Sequence, residues 1–248
     1  MTGCVEAAVS IARMLTRSLA ALATLLLLAL GACSEEDAGK DSSASDPATS
    51  ATAESSQEAG QAPSEAAGTC TYSPDGMQAA KQVDPPQAEP TETGKVDATL
   101  KTNVGDLKVV LDAGKTPCTV NSFLSLAEQG YFDDTQCHRL TTQGIYVLQC
   151  GDPTATGSGG PGYQFDDELT GKETYGAGTL AMANAGPGTN GSQFFIVYQD
   201  SMLDPNYTVF GTVDAAGIKT VQGVAAKGTT NGQPDGAPKQ AVTITGVG

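Results

Sequence analysis

Two stretches of this chain carry side chains that could do chemistry together. The first reads Cys137-His138-Arg139-Leu140-Thr141-Thr142-Gln143-Gly144-Ile145-Tyr146-Val147-Leu148-Gln149-Cys150-Gly151-Asp152. Its pattern is strand, turn at Gln143-Gly144, strand, and alternation sets Arg139 and Gln149 on one face across the hairpin. The second, residues 179–197, has two apolar runs of strand length around a centre rich in Gly, Pro and Asn, which predicts a loop held between two strands. Asn184 and Gln193 stand near the ends of that loop with their amides available. Phe194 and Phe195, adjacent on a strand, must face opposite ways. One of them can fill a core while the other lines a surface pocket. The groups on offer are hydrogen-bonding guanidinium and amides beside an aromatic wall.

Other chemistries fail on context. His138 is the only histidine; it sits on a strand beside Arg139, and no nucleophile elbow occurs in the chain, so a structural role is expected for it rather than one in a Ser-His-Asp triad. No CxxC pair is present and one histidine cannot complete a ligand set, so no metal is expected. Residues 157–162 fit G-x-G-x-x-G literally, but Pro161 and the lack of a following helix argue against a dinucleotide site. Acidic residues outnumber basic ones by 28 to 13, a formal net charge of -15, which argues against nucleic acid as a partner.

Taken with Met182-Ala183-Asn184-Ala185-Gly186-Pro187 and Gly191-Ser192-Gln193-Phe194-Phe195, the first stretch resembles the cyclophilin family of peptidyl-prolyl isomerases, with the likeness running from about residue 96 to the end. The resemblance implies a mostly β fold, a closed eight-stranded antiparallel barrel capped by two helices. It implies cis/trans isomerisation of X-Pro bonds, with Arg139 as the catalytic residue and no cofactor or metal; with the N-terminal segment described below, the expected substrates are exported proteins whose folding it assists. Tyr146, Val147, Phe195 and Leu203 would form the apolar pocket for the proline ring, and Gln149, Asn184, Gln193 and the Ala183 backbone would hold the peptide. Where the family has a pocket His and a Trp, this chain has Tyr207 and Met202, which implies weaker cyclosporin binding with isomerase activity retained. The chemistry has a first-principles basis. Amide resonance puts a barrier of about 18–20 kcal/mol on the C–N bond. A guanidinium that donates to the prolyl nitrogen stabilises the lone pair freed only near the twisted transition state. A non-catalytic module that merely holds Pro-containing segments is the alternative.

These residues need elements to position them. Val96, Ala98 and Leu100 alternate with polar residues, Asn103 to Asp106 make a turn, and Leu107, Val109 and Leu111 resume the alternation, which predicts a hairpin. Pro117 and Thr119 start a helix whose apolar face is Val120, Phe123, Leu124 and Leu126, with Gly130 as its stop. A second helix is expected over residues 215–226, interrupted by Gly217 and Gly223, and a last alternating strand over 241–245.

Upstream of residue 96 the chain changes character. Arg13 and Arg17 precede an apolar run over residues 19–30, of signal-peptide length, and Leu30-Gly31-Ala32-Cys33 resembles a lipobox. The expected plan is a lipoprotein signal peptide over residues 1–32, an acidic disordered tether over 33–69, an extended arm over 70–95 and the isomerase domain over 96–248. The tether holds no large apolar side chain and cannot offset chain entropy by burial. A lipid on Cys33 would place a monomer on the extracytoplasmic face of a bacterial cell membrane, with proline-containing polypeptides as substrates. Export also makes disulfides expected among Cys70, Cys118, Cys137 and Cys150. Strict alternation puts Cys137 and Cys150 on opposite faces of the hairpin, which favours Cys118 with Cys137 and Cys70 with Cys150.

Overall fold

The computed structural model describes residues 68–248. The expected signal peptide, the expected lipid-attachment residue Cys33 and all but the last two residues of the expected tether lie outside the described residues. In chain order, a short strand β1 (Ser73–Pro74) precedes the hairpin β2 (Lys95–Thr102) and β3 (Leu107–Asp112), then helix α1 (Pro117–Glu128). Next come β4 (Thr135–Gln136), β5 (Arg139–Thr141), β6 (Val147–Cys150), β7 (Tyr163–Gln164), β8 (Thr179–Met182), β9 (Phe194–Val197) and β10 (Val209–Val213). Helix α2 (Ala215–Ala225), β11 (Asp235–Gly236) and β12 (Thr243–Val247) close the chain.

Ten of these strands form one antiparallel sheet in the order β11-β5-β6-β9-β8-β10-β3-β2-β12-β4, and β1 pairs separately with β7. The β2–β3 register sets Val96 opposite Leu111, Ala98 opposite Val109 and Leu100 opposite Leu107, the pairs that alternation predicts. The sheet curls because its last strand and its second are consecutive in the chain. β4 bonds β12, and the residues after it bond outward on both sides, Cys137 N–H donating to Val242 and His138 N–H to Gln149. The architecture is mostly β, as expected: a curled ten-stranded antiparallel sheet with two helices.

Inside the curl lie Phe123 from α1, Phe132, Phe194 and Phe210, their ring centroids 5.1 to 5.8 Å apart. Helix α1 buries Val120, Phe123 and Leu126 as its pattern requires. Its own N-cap, Thr116, makes no side-chain cap bond. Glu168, fifty residues on, caps it instead, accepting from Cys118 N–H at 3.0 Å and from Thr119 N–H at 2.8 Å. Helix α2 has a local cap, Asp214 accepting from Gly217 N–H at 2.7 Å, and buries Val221 and Val224.

The disulfides are Cys70–Cys118 and Cys137–Cys150, which corrects both favoured pairings. The parity argument assumed that Cys137 continues strand β5. It does not: the strand begins at Arg139, and Cys137 lies in the irregular link from β4, where alternation lapses and its sulfur can turn toward Cys150.

Candidate active site

Antiparallel register builds the centre of the site. Arg139 on β5 stands opposite Gln149 on β6, Gln149 opposite Phe195 on β9, and Phe195 opposite Ala181 on β8. One row of neighbours thus crosses four strands on the outward face. On the inward face, Phe194 is fully buried in the main core, while Phe195 belongs to a smaller outer cluster with Val147, Tyr175, Ala181 and Val197.

This row floors a cleft of about 170 Å³ that Arg139, Val147, Gln149, Ala183, Asn184, Phe195, Leu203 and Tyr207 line, together with Ile145. All but two of the expected binding residues therefore meet there. Tyr146 is the first exception. Its ring packs on Tyr198, with centroids 6.0 Å apart, against the main core, and Ile145 takes its place in the cleft. Tyr146 lies just before β6, where its carbonyl accepts from Tyr198 N–H at 3.0 Å and its own N–H donates to Ser201 Oγ at 2.8 Å. Gln193 is the second exception; it lies in an adjoining cavity of about 420 Å³ that shares Gln149, Ala183 and Asn184 with the cleft.

Polar groups run in a chain along the row. Arg139 Nε donates to Asp235 at 2.9 Å and Nη2 donates to it at 2.7 Å, while Nη1 donates to Gln149 Oε1 at 3.3 Å. Gln149 Nε2 donates to Gln193 Oε1 at 2.9 Å, and Gln193 Nε2 donates to the carbonyls of Gly157 and Gly159, both at 3.0 Å. Of the five N–H groups on the guanidinium, three are spent and two, one on each terminal nitrogen, are left for a ligand. The hydrogen bonds to Asp235 hold the Arg139 pKa above its ordinary value, against the opposing effect of burial. The same pair holds the Asp235 carboxyl below the usual carboxylate range. Arg139 is thus a fixed cation in a fixed orientation.

The apolar wall is also held. Phe195 and Tyr207 meet edge to face with centroids 5.5 Å apart. The Tyr175 hydroxyl donates to the Tyr207 carbonyl and accepts from its N–H, both at 3.0 Å. Asn184 Nδ2 donates to the Asn206 carbonyl at 2.9 Å, so its amide braces the loop that carries Leu203 and Tyr207. Ala183 N–H donates to the Gln193 carbonyl at 2.9 Å, which leaves the Ala183 carbonyl as the backbone group a ligand could use. Met202 is 94% exposed, outside the cleft.

Sequence reasoning missed Asp235, Tyr175 and Ile145. Asp235 is 96 residues from its partner in a Gly- and Pro-rich segment, with no local signal to tie it to Arg139. The two ring nitrogens of His138 are buried without hydrogen-bond partners, and burial holds its pKa below the ordinary value while Asp152 pulls the other way. Among the described residues no group of His, Cys, Asp and Glu could hold a metal ion.

Known proteins resemble this chain in sequence and in fold. The family model described as cyclophilin type peptidyl-prolyl cis-trans isomerase/CLD matches residues 97–248. A Mycobacterium leprae (strain TN) protein named "Probable peptidyl-prolyl cis-trans isomerase B" is 50% identical over 190 residues, covering 71% of this chain and 64% of its own length. The protein of that name in Mycobacterium tuberculosis (strain ATCC 25618 / H37Rv) is 49% identical over 193 residues, covering 72% and 63%. This chain therefore spans a little under two thirds of these relatives. A crystal structure of a Cryptosporidium parvum cyclophilin type peptidyl-prolyl cis-trans isomerase, in the presence of the dipeptide Ala-Pro, superposes with a TM-score of 0.55 at 34% identity, over 61% of this chain and 97% of that one.

Proposed function

We propose that this chain, which belongs to the cyclophilin-type peptidyl-prolyl cis-trans isomerase family, catalyses rotation about X-Pro bonds in the cleft between Arg139 and Phe195. One observation carries the reading: a guanidinium with two N–H groups to spare, locked by Asp235 and Gln149, stands on the same face as an aromatic wall. The wall takes the pyrrolidine ring, which buries apolar surface without needing a polar partner. The peptide is held along Gln149 and the Ala183 carbonyl. Arg139 then donates to the prolyl nitrogen. In the ground state that nitrogen's lone pair is delocalised into the carbonyl and accepts poorly; in the twisted state it is localised and accepts well. The bond strengthens as the barrier is climbed, which is catalysis without a covalent step.

A protease-coupled isomerisation assay on an Ala-Pro peptide tests it. Wild type should accelerate the reaction, and Arg139→Ala should lose about 10²–10³ in kcat/KM, the usual cost of removing one transition-state donor, with peptide binding retained. No acceleration by wild type would leave a module that only holds Pro-containing segments.

The finer points of this reading rest on other support. Closure of the sheet into an eight-stranded barrel is supported by the link at Cys137 and His138, which bonds to both neighbours. Attachment of a monomer to the outer face of a bacterial membrane, where it would meet exported chains, is supported by the basic residues, apolar run and Leu-Gly-Ala-Cys at residues 13–33. Two disulfides suit such an oxidising compartment. Cys33→Ser should abolish lipid incorporation; unchanged processing and membrane association in that variant would remove the anchor from the proposal. Met202 standing outside the cleft supports weak cyclosporin binding.

A further inference from the structure

The arm over residues 70–95 precedes the stretch that the family model matches, yet it contributes to the cavity beside the cleft. It is tied down along its length. Cys70 is bonded to Cys118. The Tyr72 hydroxyl donates to the Cys118 carbonyl at 2.8 Å and accepts from Asn121 at 3.0 Å. β1 pairs with β7, Ala80 N–H donates to the Gly160 carbonyl at 2.8 Å, and Asp84 exchanges hydrogen bonds of 2.8 and 3.0 Å with Gln129.

Between these ties the chain turns, with Met77 N–H donating to Asp75 Oδ1 at 2.8 Å and Gly76 at φ 78°, a conformation glycine adopts without strain. The turn carries Asp75 and Met77 onto the wall of the 420 Å³ cavity. Every other residue of that wall is neutral, so Asp75 is its only charge. The nearest lysine of the arm, Lys81, is turned away to the carbonyls of Gly130 and Asp133. Met77 is 61% exposed, a flexible apolar surface at the rim.

We propose that the arm turns this cavity into a specificity subsite for a cationic side chain, a Lys or Arg of the polypeptide whose proline occupies the cleft, with Asp75 meeting the charge and Met77 covering the aliphatic stem. The inference rests on the cleft being the proline site. The two spaces share Gln149, Ala183 and Asn184, so one extended peptide, advancing about 3.3–3.6 Å per residue, runs from one into the other. A solvent-reached ion pair gives modest selectivity. Attraction of Lys and repulsion of Glu act in opposite directions at the same carboxylate, so their contrast is larger than either effect alone.

The test is a positional scan. Peptides with an Ala-Pro core carry Lys, Ala or Glu at each of the two positions on either side of it, and wild type is compared with Asp75→Asn and Asp75→Lys. Both kcat/KM and equilibrium binding, the latter by peptide fluorescence anisotropy, are measured. At one position wild type should favour Lys over Glu by about tenfold, Asp75→Asn should bring the ratio within about twofold, and Asp75→Lys should invert it. A Lys/Glu ratio that is the same in all three proteins overturns the subsite. If peptides are turned over but the ratio ignores Asp75, the isomerase reading stands and the subsite falls. If no peptide is turned over yet binding follows Asp75, the subsite stands on a binding module instead. If nothing binds, both fall.

Discussion

At the scale of single residues, the site depends on how Arg139 is aimed. Its pair with Asp235 is half-exposed, with side-chain exposures of 40% and 56%, so its contribution to stability is small. Its contribution to geometry is larger, because the carboxylate fixes the plane of the fork. Asp235→Asn should therefore leave the melting temperature almost unchanged and lower kcat by about tenfold, with a smaller effect on KM, as expected when a transition-state contact is misaimed. Steady-state kinetics beside a thermal melt would check this, and a kcat equal to wild type would make Asp235 a bystander. The pH profile follows from the same pair. Arg139 lowers the Asp235 pKa, so the carboxylate stays ionised through mildly acidic pH and the rate should not fall there on its account. The pairing of Arg139 with Gln149, and the opposite facing of Phe194 and Phe195, were legible in the sequence because a strand's two-residue period is local; which of the two Phe lines the cleft came from the family resemblance. Asp235 was not legible, because only the finished sheet brings β11 to β5.

At the scale of elements, legibility tracks how local the signal is. The β2–β3 hairpin and both helices follow their sequence patterns closely, and α1 and α2 end within two residues of the expected places. The last strand is shifted onward by two residues. Gly217, which weakens the case for α2 by propensity, is explained only by packing: a Cβ there would lie 2.7 Å from Val213 Cγ1, so the helix sits close because it carries glycine. The Glu168 cap of α1 is a long-range contact that no local pattern announces. The loop after β6 is organised the same way, around one buried side chain. Asp152 is 0% exposed, and its carboxylate accepts from the N–H groups of Thr154, Thr156, Gly157 and Gly159. That clasp presents the Gly157 and Gly159 carbonyls to Gln193 and so supports the polar row of the site. Burial pushes the Asp152 pKa up, but the Thr154 hydroxyl and the loop amides outweigh it and bring it down to about 2. A carboxyl with a folded pKa below its unfolded one stabilises the fold above the unfolded value, and that stability is lost as pH falls toward the folded value. Asp152→Asn should cost about 2–4 kcal/mol at neutral pH, because an amide cannot serve the same donors on both sides. Its deficit relative to wild type should shrink between pH 4 and about 2. Urea unfolding at a series of pH values measures both; a deficit constant with pH would mean that the charge of Asp152 is not what holds the loop.

At the scale of the whole described unit, two disulfides do different things, and the sequence could count the cysteines without pairing them. Cys137–Cys150 closes 13 residues and Cys70–Cys118 closes 48. Loop-closure entropy assigns about 3 kcal/mol to the first and about 4 kcal/mol to the second. The larger value belongs to the bridge that holds an arm outside the family match rather than to the one inside the sheet. Removing it by Cys70→Ser with Cys118→Ser should lower stability by up to about 4 kcal/mol in urea unfolding. The sheet that carries Arg139, Gln149 and Phe195 keeps its whole hydrogen-bond ladder, so isomerisation of an uncharged Ala-Pro peptide should persist below the unfolding transition. The rest of the arm is held by Tyr72, β1 and Gln129, and the loss should fall well short of the entropic limit if those contacts keep residues 70–95 in place without the bridge. A double variant that loses isomerase activity while its far-ultraviolet spectrum and melting stay native would show that the arm is not an addition to the catalytic domain but a part of how the cleft is formed.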